Sequence, residues 1–373
     1  MSKHVHLHKI HEESGHVVDF AGFSLPLWYK GIVMESLAVR NSVGIFDVSH
    51  MGRMLVRGDD SCAFLDLVTT NSVKSLTPRE GQYSLVCNEQ GGIKDDVLVF
   101  NLAEHEYLIV YNAATRTKDY DWFCDHAKGK NVELEDISDK VAMFALQGPN
   151  ACDVLQKTCS IPVEVIPRFG CAWCEVAGVK SLISRTGYTG EDGFEIFVWD
   201  SPIDNPHRAI SVWTNLLQVG EPDGIELCGL GARDLLRLEA GLCLYGTDID
   251  ESINPLEARL GFVVKLDKNF IGRAPLQQVK QKGPNKTRIG LMTMNRVIPR
   301  HGFRIFQSGQ EVGEVTSGSL SPILDKGIAM GYVHSKGAYV DSYDVMIRER
   351  IEPTKLVKPP FYDTQKYGYA RRA

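Results

Sequence analysis

The alternation of apolar and polar positions is clearest between Gly81 and Asn112, where GQYSLVCNEQGGIKDDVLVFNLAEHEYLIVYN reads as strand, tight turn, strand, short loop, strand. Tyr83, Leu85 and Cys87 alternate with smaller or polar residues, the period of two expected of a half-buried strand. Asn88-Glu89-Gln90-Gly91-Gly92 supplies the turn, because glycine reaches positive φ without steric cost. Ile93 to Phe100 returns as a strand headed by two adjacent acids, Asp95 and Asp96. Neighbouring strand residues point to opposite faces, so only one aspartate is expected to look into a given cleft, and a two-carboxylate glycosidase pair is disfavoured. The plainer reading is that both acids solvate the start of a strand.

Around this stretch the pattern alternates between helical and strand-like segments. Val17–Phe23 and Leu25–Tyr29 read as strand-like, and Ile32–Ser42 as a helix burying Val33, Met34, Leu37 and Ala38. Helices are predicted over Ser61–Thr70, Thr115–Ala127, from about Ala151, and near His207–Leu217; strands over Val141–Leu146, Ala172–Val176 and Ser181–Arg185. Ala232–Ala240 reads as a short amphipathic helix with Arg233 in its first turn. A Lys, Gln, Gly and Pro-rich stretch, Gln277–Lys286, reads as a linker. Beyond it five strands are predicted, Arg288–Met294, Phe303–Gln307, Gly313–Ser317, Gly327–Val333 and Val345–Arg350, suggesting a small antiparallel sandwich or barrel. The aromatic, basic tail from Lys358 lacks periodicity; it is expected either to fray or to lie across a neighbouring domain. Strand and helix blocks of this order indicate an α+β architecture.

Composition narrows the function classes. The 373 residues leave room for two or three domains, and a net charge of −6 gives no footing for nonspecific nucleic-acid or membrane binding. Nine cysteines, mostly inside apolar runs, imply no complete disulfide framework and fit a reducing compartment. With no secretory leader and no apolar run of membrane-span length, a cytoplasmic location is expected, or the mitochondrial matrix if a transit peptide has been removed.

Candidate chemistry is mostly excluded by spacing. His4, His6, His8, His11 and His16 form no zinc-finger pattern and read as surface residues of a leading helix, with no metal site expected. Asp47, Ser49 and His50 lie within one extended segment and cannot form a nucleophile–base–orienter relay. Cys171 and Cys174 stand on opposite faces of a strand, which favours core packing over metal or redox use. Gly229-Leu-Gly231 lacks the third glycine of a dinucleotide fingerprint, and there is no P-loop sequence.

Ser184-Arg-Thr-Gly-Tyr-Thr-Gly-Glu-Asp-Gly-Phe-Glu-Ile-Phe197 frames Tyr188 between glycines and sets Glu195 on the strand that leaves the loop. Together with VDFAGFSLPLWY, AVRNSVGIFDVSHMG, NEQGGIKDD, ALQGPNA, GLGARDLLRLEAGLCLYGTDIDE and TSGSLSPILDKGIAMGYV, in this order, the chain resembles, nearly end to end, the glycine cleavage system T-proteins, a family of tetrahydrofolate-dependent aminomethyltransferases. The resemblance implies a three-domain cloverleaf around a central folate cavity. It places a split folate-binding domain at 1–52 and 138–276, a ferredoxin-like α+β domain at 53–137 and a jelly-roll-like β-barrel at 277–373.

Carried over residue by residue, the resemblance makes Asp96 the catalytic aspartate and Glu195 and Arg233 ligand-binding positions. It also places Asn112 in the pterin pocket, Tyr188 at the family's loop tyrosine, and Met51, Tyr83 and Val110 along the cavity. The family's C-terminal tyrosine aligns best with Tyr367, with Tyr362 and Tyr369 as the alternatives. The implied reaction moves a methylene from an aminomethylated lipoyl arm of the H-protein to N5 of tetrahydrofolate, releasing ammonia and giving 5,10-methylenetetrahydrofolate. Partners would be folate and the lipoylated H-protein, in a monomer or weak homodimer. Two other readings stand beside it: a folate-dependent demethylase acting on a methylsulfonium or N-methyl donor, and a non-enzymatic folate-binding accessory protein. Demethylases of the amine type append a flavin domain with a dinucleotide fingerprint, and accessory relatives carry Lys-Gly-Cys; neither occurs here.

Overall fold

The computed structural model describes residues 2–335 and 342–371. Its centre is two sheets packed face to face. One has five antiparallel strands in the order Gly81–Cys87, Ile93–Ala103, Glu106–Tyr111, Gly52–Arg57, Glu133–Asp136. The other has six, in the order Cys171–Val176, Val179–Ser184, Gly193–Val198, Ala142–Gln147, Val43–Asp47, Ile225–Leu227, the last pair being parallel. Leu55, Phe100, Leu108 and Val110 from the first sheet interleave with Met143, Ala145, Leu182 and Phe197 from the second. Burying such residues stabilises by roughly 1.5–3 kcal/mol each, so this interface fixes how the sheets sit.

Each sheet carries helices on its other face. Ser61–Val68 and Arg116–Ala127 cover the five-stranded sheet through Phe64 and Phe123. Ala151–Gln156 and His207–Gly220 cover the six-stranded one through Val154, Leu155, Trp213 and Leu216. The six-stranded sheet takes strands from both sides of the five-stranded sheet in sequence, which no local pattern announces.

The predicted hairpin is present, with Gly91 at φ +84° in its turn, where an L side chain would be strained. Several other expectations need correction. The helix Ile32–Asn41 buries Glu35, Ser36, Val39 and Arg40, while Val33 and Met34 are 50% and 63% exposed. Polar partners override hydropathy there: Glu35 accepts from the backbone N–H groups of Tyr29, Lys30, Gly31 and Gly229, and Arg40 pairs with Glu191 and Glu239, far away in sequence. His6 and His11 are not surface residues; both are buried, and His11 Nε2 lies 2.9 Å from Asp47 Oδ2. Among the described residues no group of three potential ligands could hold a metal ion.

The stretch read as a linker is largely the helix Arg273–Lys282, whose exposed Lys and Gln side chains gave it its linker-like composition. The C-terminal unit is a closed barrel of six strands rather than five. The sixth, Arg350–Val357, contains Pro353, and its pairing with Lys286–Thr293 begins only at Thr354, so the missing N–H breaks no bond on that side. Nor is the tail frayed: Phe361 and Tyr362 are buried, and the chain runs back across the loop at Gly190.

Candidate active site

Asp96 lies opposite Leu85 and Asp95 opposite Val86 on the central hairpin, both past a bulge that shifts the register between Val86 and Cys87. Its two oxygens are taken up by different partners. Tyr83 Oη donates to Oδ2 at 3.0 Å, and Asn112 Nδ2 donates to Oδ1 at 2.8 Å. The same Asn112 amide reaches Asp95 Oδ1 at 2.7 Å. Asp95 and Asp96 point to opposite faces as expected, Asp95 toward Thr115 and Asp96 toward Tyr83, with the Asn112 amide bridging them, and Asp95 is fully buried rather than solvated. Burial, and then the charge of Asp95, push the Asp96 carboxyl up to about 7, against the donors Tyr83 and Asn112, which favour the ionised form.

Tyr188 joins this group to the second sheet. Its hydroxyl donates to the carbonyl of Cys243, and its ring lies under the Arg233 guanidinium, 4.5 Å from the centroid. Burial raises the phenol strongly, and both Asp96 and Arg233 are near enough to act on it. Tyr83, Asp96, Tyr188 and Arg233 thus form one continuous cluster. Glu195 lies within electrostatic reach of Arg233 and accepts a short hydrogen bond from Thr186. Burial raises the Glu195 carboxyl, while Arg233 is lowered from the ordinary arginine range by its own burial.

Two features of this pair matter. Arg233 makes no side-chain hydrogen bond or ion pair with any described residue, and Glu195 has one donor, although it is only 5% exposed. Opposite charges are held near one another without closing into a salt bridge. Both retain unused hydrogen-bonding capacity, the arrangement of a site that takes a polar ligand between them.

Met51 and Leu98 pack against the apolar cluster that contains Val110, so Met51 and Val110 belong to the floor between the sheets. Tyr367 is placed differently. It packs edge-to-face on Tyr362 at 6.3 Å, with Arg371 at 6.0 Å from its ring, and no hydrogen bond, ion pair or ring contact ties it to the Asp96 group. Tyr362 touches the Tyr188 loop directly: a Cβ on Gly190 would meet its Oη at 2.2 Å, and Gly190 has φ +80°.

Three residues that sequence reasoning did not single out organise the surroundings. Arg40 ion-pairs with Glu191 at 2.9 Å and Glu239 at 2.8 Å and stacks under Tyr362 at 4.6 Å, tying the tail and two helices to the Tyr188 loop. Arg237 bonds Asp248 at 2.6 Å and Ser317 at 2.9 Å, fixing its helix to the barrel. Asp119, on the helix behind the hairpin, is buried against Asp95. None carries a local motif, since each acts through partners distant in sequence.

Residues 7–268 match the GCVT N-terminal domain model, and residues 286–363 match the glycine cleavage T-protein C-terminal barrel domain. A probable aminomethyltransferase of Pyrococcus horikoshii is 41% identical over the full length of both chains. The aminomethyltransferase of Geobacillus thermodenitrificans is 44% identical over 94% of this chain and 95% of its own. The crystal structure of glycine cleavage system aminomethyltransferase T from Bartonella henselae superposes with a TM-score of 0.90 at 33% identity, covering 99% of this chain and all of that one. From the five- and six-stranded sheets to the terminal barrel, the chain belongs to the glycine cleavage T-protein family of aminomethyltransferases.

Proposed function

We propose that this aminomethyltransferase takes the methylene of an aminomethylated dihydrolipoyl arm, presented by the H-protein of the glycine cleavage system, and passes it to tetrahydrofolate. Ammonia leaves, and 5,10-methylenetetrahydrofolate and the free dihydrolipoyl arm are the products. Tetrahydrofolate is a co-substrate here, and no metal is called upon.

The observation that carries this reading is the open pair Glu195 and Arg233 beside Tyr188. A reduced pterin offers a flat edge of adjacent donors, which a fixed carboxylate accepts side by side, as Glu195 would. Arg233 offers a planar cationic fork to the carboxylate of the folate tail. Met51, Val110 and Tyr83 supply apolar and aromatic walls, and Asn112 borders the pterin through its amide. Tyr367 is assigned to the ligand by alignment alone.

Asp96 is the catalytic residue of the proposal. Positive charge develops at N5 and at the carbon in transit, and a nearby carboxylate stabilises it and relays a proton to the departing nitrogen. Proximity of two bulky substrates supplies much of the remaining acceleration. The domain division at 52/53, 137/138 and 276/277 belongs to the same proposal, with the site where the three units meet.

The test is turnover with two donors under one assay, an aminomethylated lipoyl carrier and a methylsulfonium compound, each with tetrahydrofolate. Transfer only from the carrier is expected. Transfer only from the sulfonium would replace this reading with the demethylase one.

A further inference from the structure

Two carboxyl groups behind the hairpin are buried together, and their hydrogen bonds are unequally divided. Asp95 accepts from the Asn112 backbone N–H at 3.0 Å, from Asn112 Nδ2 at 2.7 Å and from Thr115 Oγ1 at 2.9 Å. Asp119 is 1% exposed, both of its oxygens are shielded from solvent, and neither receives a hydrogen bond from the described residues. The adjacent cation does not supply one. Lys118 Nζ is 3.9 Å from Asp119 Oδ1, and its three N–H groups are directed at the Lys94 carbonyl, Tyr245 Oη and Glu251 Oε1 at 2.9, 3.0 and 3.0 Å. The groups facing Asp119 within hydrogen-bonding reach are the Asp95 carboxyl and the Thr115 hydroxyl, whose single proton is directed at Asp95 Oδ2.

Two buried carboxylates in contact, one of them without a donor, cannot both stay ionised. The donor inventory decides where the proton sits: the charge belongs on Asp95, which three donors stabilise, and the proton on Asp119, whose O–H becomes the fourth. We propose that Asp119 is a positioning residue of the transfer reaction, holding the proton that lets Asp95 carry a single fixed negative charge beside Asp96. Burial raises the proton affinity of both members, and the contact between them raises Asp95 and lowers Asp119, so the pair retains a proton while the donor inventory, not these shifts, assigns it to Asp119.

The consequence reaches Asp96 through its direct neighbour. The charge on Asp95 is the second cause, after burial, of the raised Asp96 carboxyl, and the two acids are bridged by the Asn112 amide. Other groups surround the trio. Lys94 and Lys118 act on Asp119, which is felt by Tyr111; Tyr245 feels Asp95; Tyr83, Tyr188 and Cys243 feel Asp96. Of the two lysines, Lys118 is committed elsewhere and Lys94 Nζ lies 3.8 Å from Glu251 and over the Trp122 ring. Asp119 therefore sets the charge state behind Asp96 without touching substrate. This role rests on the function proposed above; the proton itself does not.

The experiment has one arm that needs no activity. Infrared spectra of the full chain at pH 9, where the Asp96 carboxyl is ionised, in H2O and in D2O, are compared with those of Asp119→Asn. A protonated-carboxyl C=O band that shifts on deuteration and disappears in D119N is expected. Its absence from the parent, or its persistence in D119N, overturns the assignment. The second arm is the pH profile of methylene transfer. Asparagine replaces the O–H donor with an N–H donor at unchanged charge, so D119N should keep its half-point within about 0.3 pH unit of the parent. Asp119→Leu removes the donor, drives the proton onto Asp95, and should move the half-point down by about one unit. A downward shift in D119N, or none in a folded D119L, overturns the positioning role. Were the parent to show no transfer at all, the proposed function would fail, and the infrared arm would still decide where the proton lies.

Discussion

Asn112 holds its side-chain amide 2.8 Å from Oδ1 of Asp96, from the far end of the strand that pairs with the one carrying the acid. With Tyr83 on the other oxygen, the carboxylate is oriented by two donors before any ligand arrives. Such preorganisation is what a charge-stabilising group in a transfer site requires.

Removing one donor should be visible in the pH dependence. The Tyr83 hydroxyl stabilises the ionised form of Asp96, so Tyr83→Phe raises the carboxyl further above about 7. Transfer needs the carboxylate, so it declines as pH falls through that value, and in Y83F the decline begins at higher pH. The half-point should move up by about half to one unit, the scale of one net hydrogen bond. An unmoved half-point would detach Tyr83 from the chemistry.

The same carboxyl weakens the fold when it ionises. Its pKa is 3.8 in an ordinary setting and about 7 here, so the folded state holds the extra proton between those values. Stability contributed by the protonated form is therefore complete below pH 4 and lost as pH rises toward 7 and beyond. Asp96→Asn should raise the melting temperature at pH 8, by up to about 4 kcal/mol in stability, and leave it nearly unchanged at pH 4. Equal melting temperatures at pH 8 would contradict the burial of the charged acid.

Arg40 is 1% exposed and faces Glu191 and Glu239, both equally buried. Arg40→Met strands two carboxylates, and urea unfolding should show a loss of about 3–5 kcal/mol. Arg371, which meets Glu191 from the partly solvated side, should cost less than about half of that when replaced by alanine. The reverse order would mean that the tail, not Arg40, holds the network.

Gly190 and Tyr362 offer a coupled pair. Gly190→Ala strains a backbone at φ +80° and places a methyl against Tyr362 Oη, and should cost about 1–3 kcal/mol. In a Tyr362→Ala background the steric part disappears, so the cycle should show a coupling of at least about 0.5 kcal/mol. Additive losses would mean that the tail does not press on this loop.

What could be read from the chain before its structure divides along the range of the interactions. The hairpin from Gly81 was legible because period-two apolarity and the Gly91-Gly92 turn are local. The helix near Ile32 was placed correctly but turned the wrong way. Val33 and Met34 lie outward, because Glu35 accepts from the N–H groups of Tyr29, Lys30 and Gly31 and Arg40 pairs across almost two hundred residues. The buried His11 was misread for the same reason, its partner Asp47 being on another element. In the site, the acid pair Asp95 and Asp96 was visible in the hairpin pattern, but the choice of Asp96 and the roles of Glu195 and Arg233 came through the family motifs. Asp119 could not, since its significance is the absence of a donor.

The most direct measurement is methylene transfer from an aminomethylated lipoyl carrier to tetrahydrofolate by Asp96→Asn. The substitution keeps the shape and removes the charge. A fall of about a hundredfold to ten-thousandfold, with the fold and reduced-folate binding retained, is the expected result. Transfer at the parent's rate by the folded variant would contradict the placement of the catalytic charge at this hairpin.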